Sequence, residues 1–191
     1  MEAKKLGFGL MRLPLTDPNN SGSIDIETTK KMVDTFIERG FTYFDTAKED
    51  RDRIFNEQRR KTGVEYFDYY LLHDVNAGHL PTFDKLDCWN WLIEKKKAGL
   101  VRHIGFSFHD HADLLDEVLA KHPEVEFVQL QLNYLDWDSE GVQSRKCYEV
   151  AQKHGKPVFV MEPVKGGTLA NLPEEAEKVL KDYHPDMSVP S

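Results

Sequence analysis

One unit recurs along the 191-residue chain: an amphipathic helix rich in Lys and Glu, a Gly or Pro stop, then a short strand of aromatic and β-branched residues. Ile26, Met32, Val33, Phe36 and Ile37 keep helical spacing, Gly40 ends the run, and residues 41–45 read as a strand. Residues 48–62 form a more polar helical pattern stopped by Gly63, ahead of the strand-like run Tyr66, Phe67, Asp68, Tyr69, Tyr70, Leu71, Leu72. Thr82 is the expected cap of a helix with Phe83, Leu86, Trp89, Leu92 and Ile93 on one face; Gly99 ends it and 101–106 follows as strand. The unit returns as helix 110–121, Pro123 and strand 127–132, and again as helix 140–153, Gly155 and strand 158–161. With 6–11 as an opening strand, the pattern predicts six strands and five intervening helices. Strands joined through a helix run parallel, so the chain is α/β.

Alternating strand and helix closes in two ways, a doubly wound open sheet or a (β/α)8 barrel, and periodicity does not choose between them. A dinucleotide-binding open sheet places G-x-G-x-x-G between its first strand and first helix. Gly7-Phe8-Gly9 is followed by neither the third glycine nor a helix start, which favours the barrel. The chain is short for one, since eight repeats typically need about 250 residues.

In a parallel barrel the chemistry sits at the C-terminal strand ends, so the residues that terminate each apolar run are informative. Asp45-Thr46 ends the second strand, His73-Asp74 the third, Ser107-Phe108-His109 the fourth, Gln131 and Asn133 the fifth, and Glu162 the sixth. Each alone has a structural alternative: a histidine bonded to a backbone carbonyl, an Asx turn or helix cap at Asp45, strand-end amides without a ligand. Their recurrence at successive strand ends points to one polar rim, on which Asp45, His73, Ser107 and Gln131 are expected to converge. Trp89, Trp91, Tyr66, Tyr69 and Tyr70 read as core or sheet-face residues.

Charge and cysteine content narrow the function classes. Lys plus Arg number 25 against 33 Asp plus Glu, a net charge of −8, with no basic cluster to meet phosphates, so no nucleic-acid partner is expected. Lys95, Lys96 and Lys97 read as the last turn of a helix, complementing its dipole. No apolar run approaches the roughly 20 residues that cross a bilayer, and no signal or transit pattern opens the chain; no membrane partner and a cytoplasmic location are expected. Cys88 and Cys147 fall within predicted helices, outside any C-x-x-C or Cys/His ligand spacing. His109-Asp110-His111 with His73 raises a metal-dependent barrel hydrolase as a third possibility. Only His109 and His111 share a strand face, however, and Asp110 is the expected cap of the next helix, so no metal site is expected.

Several segments resemble a known family. Gly7-Phe8-Gly9-Leu10-Met11-Arg12-Leu13-Pro14, Phe41-Thr42-Tyr43-Phe44-Asp45-Thr46-Ala47 and Tyr69-Tyr70-Leu71-Leu72-His73 are similar to stretches of the aldo/keto reductases. So are Ile104-Gly105-Phe106-Ser107-Phe108, Gln129-Leu130-Gln131-Leu132-Asn133-Tyr134 and Met161-Glu162-Pro163-Val164-Lys165-Gly166-Gly167. They keep the family's order, cover nearly all of the chain, and look closest to its bacterial oxidoreductase branch. The resemblance implies a single (β/α)8 TIM barrel domain over 1–191 with about six of its eight strands represented. It implies NADPH, with NADH possible, as cofactor and a small carbonyl substrate, an aldehyde or ketone reduced to an alcohol by hydride transfer. The oligomeric state is left open. By the same resemblance Asp45 and His73 are catalytic, Ser107 and Gln131 hold the nicotinamide carboxamide, and Met161 lies against its ring. Gly9, Leu10 and Met11 line the pocket, and the loop of Glu162, Pro163, Val164, Lys165, Gly166 and Gly167 approaches the pyrophosphate. The chemistry agrees, because hydride delivery to a carbonyl creates an alkoxide that needs a proton donor and a polarising group.

Two of the family's four catalytic residues have no counterpart. The proton-donating tyrosine lies five positions after the Asp; here that position is Asp50, and no strand bearing the catalytic lysine occurs before Gly63. Lys48 onward resembles the stretch that follows the lysine strand, so Ala47 and Lys48 match positions that are distant in an intact member, and a final strand and helix are also unrepresented. A gap is expected there, with a Cα separation well beyond the ~3.8 Å of a trans peptide and the residues between, including the tyrosine and lysine, missing; a bonded pair would instead mean a deleted repeat. Little or no carbonyl reduction is expected of these 191 residues, with His109 the first candidate for a substitute donor. The alternative function is a catalytically inactive barrel that binds a nucleotide or a protein partner.

Overall fold

A computed structural model describes residues 7–9, 13–20, 23–38, 43–45 and 51–183. The elements run β1 (Gly7–Gly9), α1 (Ile26–Glu38), β2 (Tyr43–Asp45), α2 (Arg51–Thr62), β3 (Phe67–Val75), α3 (Leu80–Lys85) and α4 (Cys88–Lys97). Then follow β4 (Val101–Phe108), α5 (Ala112–Lys121), β5 (Phe127–Gln131), α6 (Ser144–Lys153), β6 (Val158–Met161), a 3-10 turn (Lys165–Ala170) and α7 (Glu174–Tyr183). All paired strands are parallel: β1 with β2, and β3-β4-β5-β6 in that order. Sequential neighbours joined by helices place every C-terminal strand end of the four-stranded sheet on one side.

The helices cover one face of that sheet, and the other carries a layer of the sheet's own rings. On one face Ile104, Phe106, Val128 and Leu130 pack in the core with Trp91, Leu92, Leu115, Leu119 and Ala151 of the helices. Trp89 meets Phe106 edge-on at 5.8 Å, and Phe55 meets Trp91 at 5.7 Å. On the other face Tyr69, His103, Phe127 and Phe159 make a layer of rings with centroids 4.6–5.5 Å apart. Gly105 is required there: a Cβ on it would sit 2.4 Å from the Phe127 carbonyl oxygen and 2.8 Å from its ring. The expected helix stops Gly99 and Gly155 take left-handed φ of 72° and 65°.

Four local expectations are corrected. The helix read as one unit from Thr82 breaks into α3 and α4, because Pro81 lets the first begin at Leu80 and Asp87 turns left-handed (φ 52°), its carboxylate accepting from Asn90 Nδ2 at 2.7 Å. Thr82 therefore lies inside α3. Asp110 does not cap α5: its carboxylate accepts the N–H groups of Ala77 and His111, both at 2.8 Å, and the Ala112 N–H donates to Gln143 Oε1 at 3.2 Å. Helix α6 begins only at Ser144, after Gln143 in a left-handed conformation. Strands β3 and β4 run through His73 and Ser107 rather than stopping before them. Leu10, Met11 and the Ala47–Lys48 junction lie outside the described residues. No helix among the described residues is long and apolar enough to cross a membrane.

Candidate active site at the strand ends

β3 and β4 pair up to Leu72↔Phe106 and resume at Val75↔Phe108, so His73 and Asp74 together face the single residue Ser107. Two residues against one is a β-bulge, a device that re-aims side chains at strand ends. Asp74 absorbs the extra length at φ 60°, uncommon for a residue with a Cβ. Its N–H donates to Ser107 Oγ at 2.8 Å, and its carboxylate is held by Asn76 Nδ2 at 2.8 Å and His79 Nδ1 at 3.0 Å. Ser107 is fully buried one step beyond Gly105 on the same face. A serine oxygen that accepts one bond still has its proton to donate.

His109 follows β4, its N–H bonded to the Val75 carbonyl, with its ring centroid 6.0 Å from that of His73. Although His109 is exposed by area, the crowding protein atoms strip water from its ring and hold its pKa below the usual imidazole value. The neighbouring His73 works in the same direction, while Asp74 and Glu162 oppose it.

Asp136, which the sequence reading did not single out, organises the ends of β5 and β6. It is 4% exposed. Its Oδ2 accepts from Gln131 Nε2 and Asn133 Nδ2, each at 2.8 Å, and its Oδ1 pairs with Lys165 Nζ. Its N–H donates to Asn133 Oδ1 at 2.9 Å, and Asn133 Nδ2 reaches on to the Glu162 carbonyl at 3.2 Å. The Lys165 ammonium is the main reason its carboxyl is held below the usual range, opposed by burial and helped by Asn133 and Gln131. A local signal existed: an Asn amide oxygen can take the backbone N–H three residues on, as at a helix N-cap.

The structure thus joins some expected site residues and separates others. His73 and Ser107 meet across the bulge, while Gln131 and Lys165 are linked through Asp136. Lys165, expected toward a pyrophosphate, directs its ammonium back to that carboxylate. Its loop is compact, with Glu162 (φ 55°), Lys165 (φ 48°), Gly166 (φ 62°) and Gly167 (φ 96°) left-handed. The Lys165 and Gly167 N–H groups donate to the Glu162 and Val164 carbonyls. Met161 is half-buried opposite Gln131 in the β5–β6 register; Pro163 is exposed and Val164 half-buried. Gly9 pairs with Asp45, which is described by its backbone alone. A pocket of about 410 Å³ beside the rim takes Gln131 and His109 in its wall, with Phe108, Leu130, Ser144 and Cys147, but neither His73 nor Ser107. Among the described residues no group of three His, Cys, Asp or Glu side chains is placed to share a metal ion.

The family model for the aldo/keto reductase family matches residues 47–188. The chain belongs to this family. Solved aldo/keto reductases share its fold. The enzyme from Brucella melitensis aligns at TM-score 0.63 and 18% identity over 97% of this chain and 76% of that one. The holo form of a Bacillus halodurans aldo-keto reductase aligns at 0.56 and 19% identity over 99% and 76%. A mutant of Gox0644 in complex with NADPH aligns at 0.63 and 18% identity over 95% and 70%. No curated protein sequence matches the chain significantly. The parallel sheet and its flanking helices are accordingly part of the (β/α)8 barrel of this family of oxidoreductases.

Proposed function

We propose that this aldo/keto reductase-type chain binds NADPH, or NADH in its place, and acts on a small aldehyde or ketone. The observation that carries the reading is the polarity of the strand ends. Ser107 accepts from the Asp74 N–H and keeps a proton to donate; Gln131 gives its amide nitrogen to Asp136 and keeps Oε1 as an acceptor. Gln131 lines the pocket and presents an acceptor to a primary carboxamide, the group that a nicotinamide carries, while Ser107, buried at its strand end, holds the complementary donor, so the residue types present fit the cofactor. The NADPH bound to Gox0644 supports the same choice. When bound, a reduced nicotinamide supplies the hydride. Met161 serves its ring, loop 162–167 its phosphates, and Gly9, Leu10 and Met11 the pocket wall. His73 offers a hydrogen bond to the carbonyl oxygen as charge develops there, with Asp45 as the accompanying carboxylate. The reading needs no nucleic-acid or membrane partner and is compatible with a cytoplasmic setting.

One set of observations favours a second reading, nucleotide binding without efficient turnover. Asp50 stands where the family has its tyrosine. In addition, β2 touches β3 without sharing a ladder with it among the described residues, at the place where a lysine-bearing strand would stand. Titration with NADPH followed by tryptophan fluorescence, paired with aldehyde-dependent NADPH oxidation, separates the readings. Saturable binding is expected, with turnover at least about 10²-fold below that of a tyrosine-bearing member, the low end of what one general acid contributes. Ordinary turnover would assign the proton to another donor, His109 first. Failure to bind either nicotinamide nucleotide would refute the cofactor.

A further inference from the structure

A glutamine amide is nearly symmetric in shape and can present either end to a ligand; its partner on the protein side decides which. For Gln131 that partner is a carboxylate, which can only accept, so the amide nitrogen must face Asp136 and the oxygen must face away. Asp136 is nearly inaccessible and takes three donors, Gln131, Asn133 and Lys165, as a buried carboxylate requires. Asn133 locks the acid from the other side by receiving its backbone N–H. The Gln131 main chain is fixed as well: its carbonyl accepts from Ser144 Oγ at 2.7 Å and it sits in register with Met161. Both ends of Gln131 are therefore set before any ligand arrives.

We propose that Asp136 is a positioning residue of the cofactor site: it fixes the polarity of Gln131 so that an acceptor oxygen meets the carboxamide N–H of a bound nicotinamide nucleotide. This rests on the cofactor reading above. Asp136 touches no reacting atom; it acts through Gln131, and through Lys165 it fastens the loop after β6 to the same point.

The test compares affinities for reduced NADPH and its reduced 3-acetylpyridine analogue, in which a methyl group replaces the carboxamide nitrogen. The analogue keeps the carbonyl acceptor and lacks the N–H donor. Wild type is expected to bind NADPH about tenfold more tightly, the cost of one acceptor left unmatched. Asp136→Asn, whose amide oxygen can stay toward Gln131 and Asn133, should keep the preference. Asp136→Ala should reduce it to within about twofold, because Gln131 can then turn and donate to the ketone. A merely structural role would weaken both ligands together and leave the ratio unchanged. Circular dichroism checks that each variant is folded, and Gln131→Met, which has no amide, must erase the preference even if the Ala variant does not fold. A tenfold preference surviving in Asp136→Ala or Gln131→Met, or none in wild type, overturns the proposal. Wild type that binds neither ligand overturns the cofactor reading, and with it this one.

Discussion

Replacing Gly105 by Ala tests whether the ring layer beneath the rim sets the spacing of the sheet. The added Cβ would lie 2.4 Å from the Phe127 carbonyl oxygen and 2.8 Å from two of its ring carbons, whereas carbon contacts settle at about 3.5–4.0 Å. The ring can swing, but the oxygen belongs to β5, whose Phe127 is the register partner of Gly105, so relief requires moving one strand against the other. Overpacking of this kind costs about 1–3 kcal/mol, and an obstacle of backbone places Gly105→Ala at the upper end, about 3 kcal/mol. For a chain of this size the melting temperature should then fall by roughly 6–12 °C, at about 2–4 °C per kcal/mol. Gly155→Ala is the control: nothing lies within 4 Å of its Cβ position, but φ is +65°, so only the left-handed backbone, about 1–2 kcal/mol, is at stake. Urea unfolding followed by circular dichroism measures both. If Gly105→Ala loses no more stability than Gly155→Ala, the steric reasoning is wrong.

The Cys147 thiol, pushed up to about 11 by burial and then by Asp110, should be almost entirely protonated at pH 8, where roughly one part in a thousand is thiolate. Native protein should therefore react with an aromatic disulfide only slowly, Cys88 being buried too, and a rapid burst of one thiol per chain would contradict this. His109 should titrate by NMR below the ordinary value of about 6.5, so its stabilising neutral form is fully populated above that value and lost as pH falls through the lowered one. His73→Ala should raise the His109 midpoint, because His73 is one of the neighbours that lower it; an unchanged midpoint would mean that the two rings are not coupled.

The positions of the strands and four of the intervening helices were legible because each depends on residues close in sequence. The apolar run 158–161 stands alone between Gly155 and Glu162, and it became β6 with the same bounds. The errors fall where a distant partner replaced a local one. Asp110 has the chemistry of a cap, yet Ala77 takes one of its carboxylate oxygens and Gln143, 31 residues downstream, serves the Ala112 N–H instead. Asp87 looks like any polar helix residue, and only the joint burial of Phe83 and Trp89 reveals why the helix should bend there.

The site shows the same division more sharply. The residue types at the rim could be read from strand ends, but which atom each presents could not, because polarity is imposed from outside the rim. Ser107 is left as a donor by Asp74, a residue whose N–H comes within reach only because the β3 bulge sets two residues against one. Gln131 is left as an acceptor by Asp136, which belongs to a loop that periodicity passes over. In both cases an acid residue adjoining the site fixes a neutral side chain that would face the ligand, one through its backbone and the other through its carboxylate. An exchange of Ser107 for Ala therefore removes a donor and also strips Asp74, held at φ 60°, of the bond that supports its conformation. The strain of the bulge and the hydrogen-bonding polarity of the rim are a single arrangement, and His73 is aimed by it.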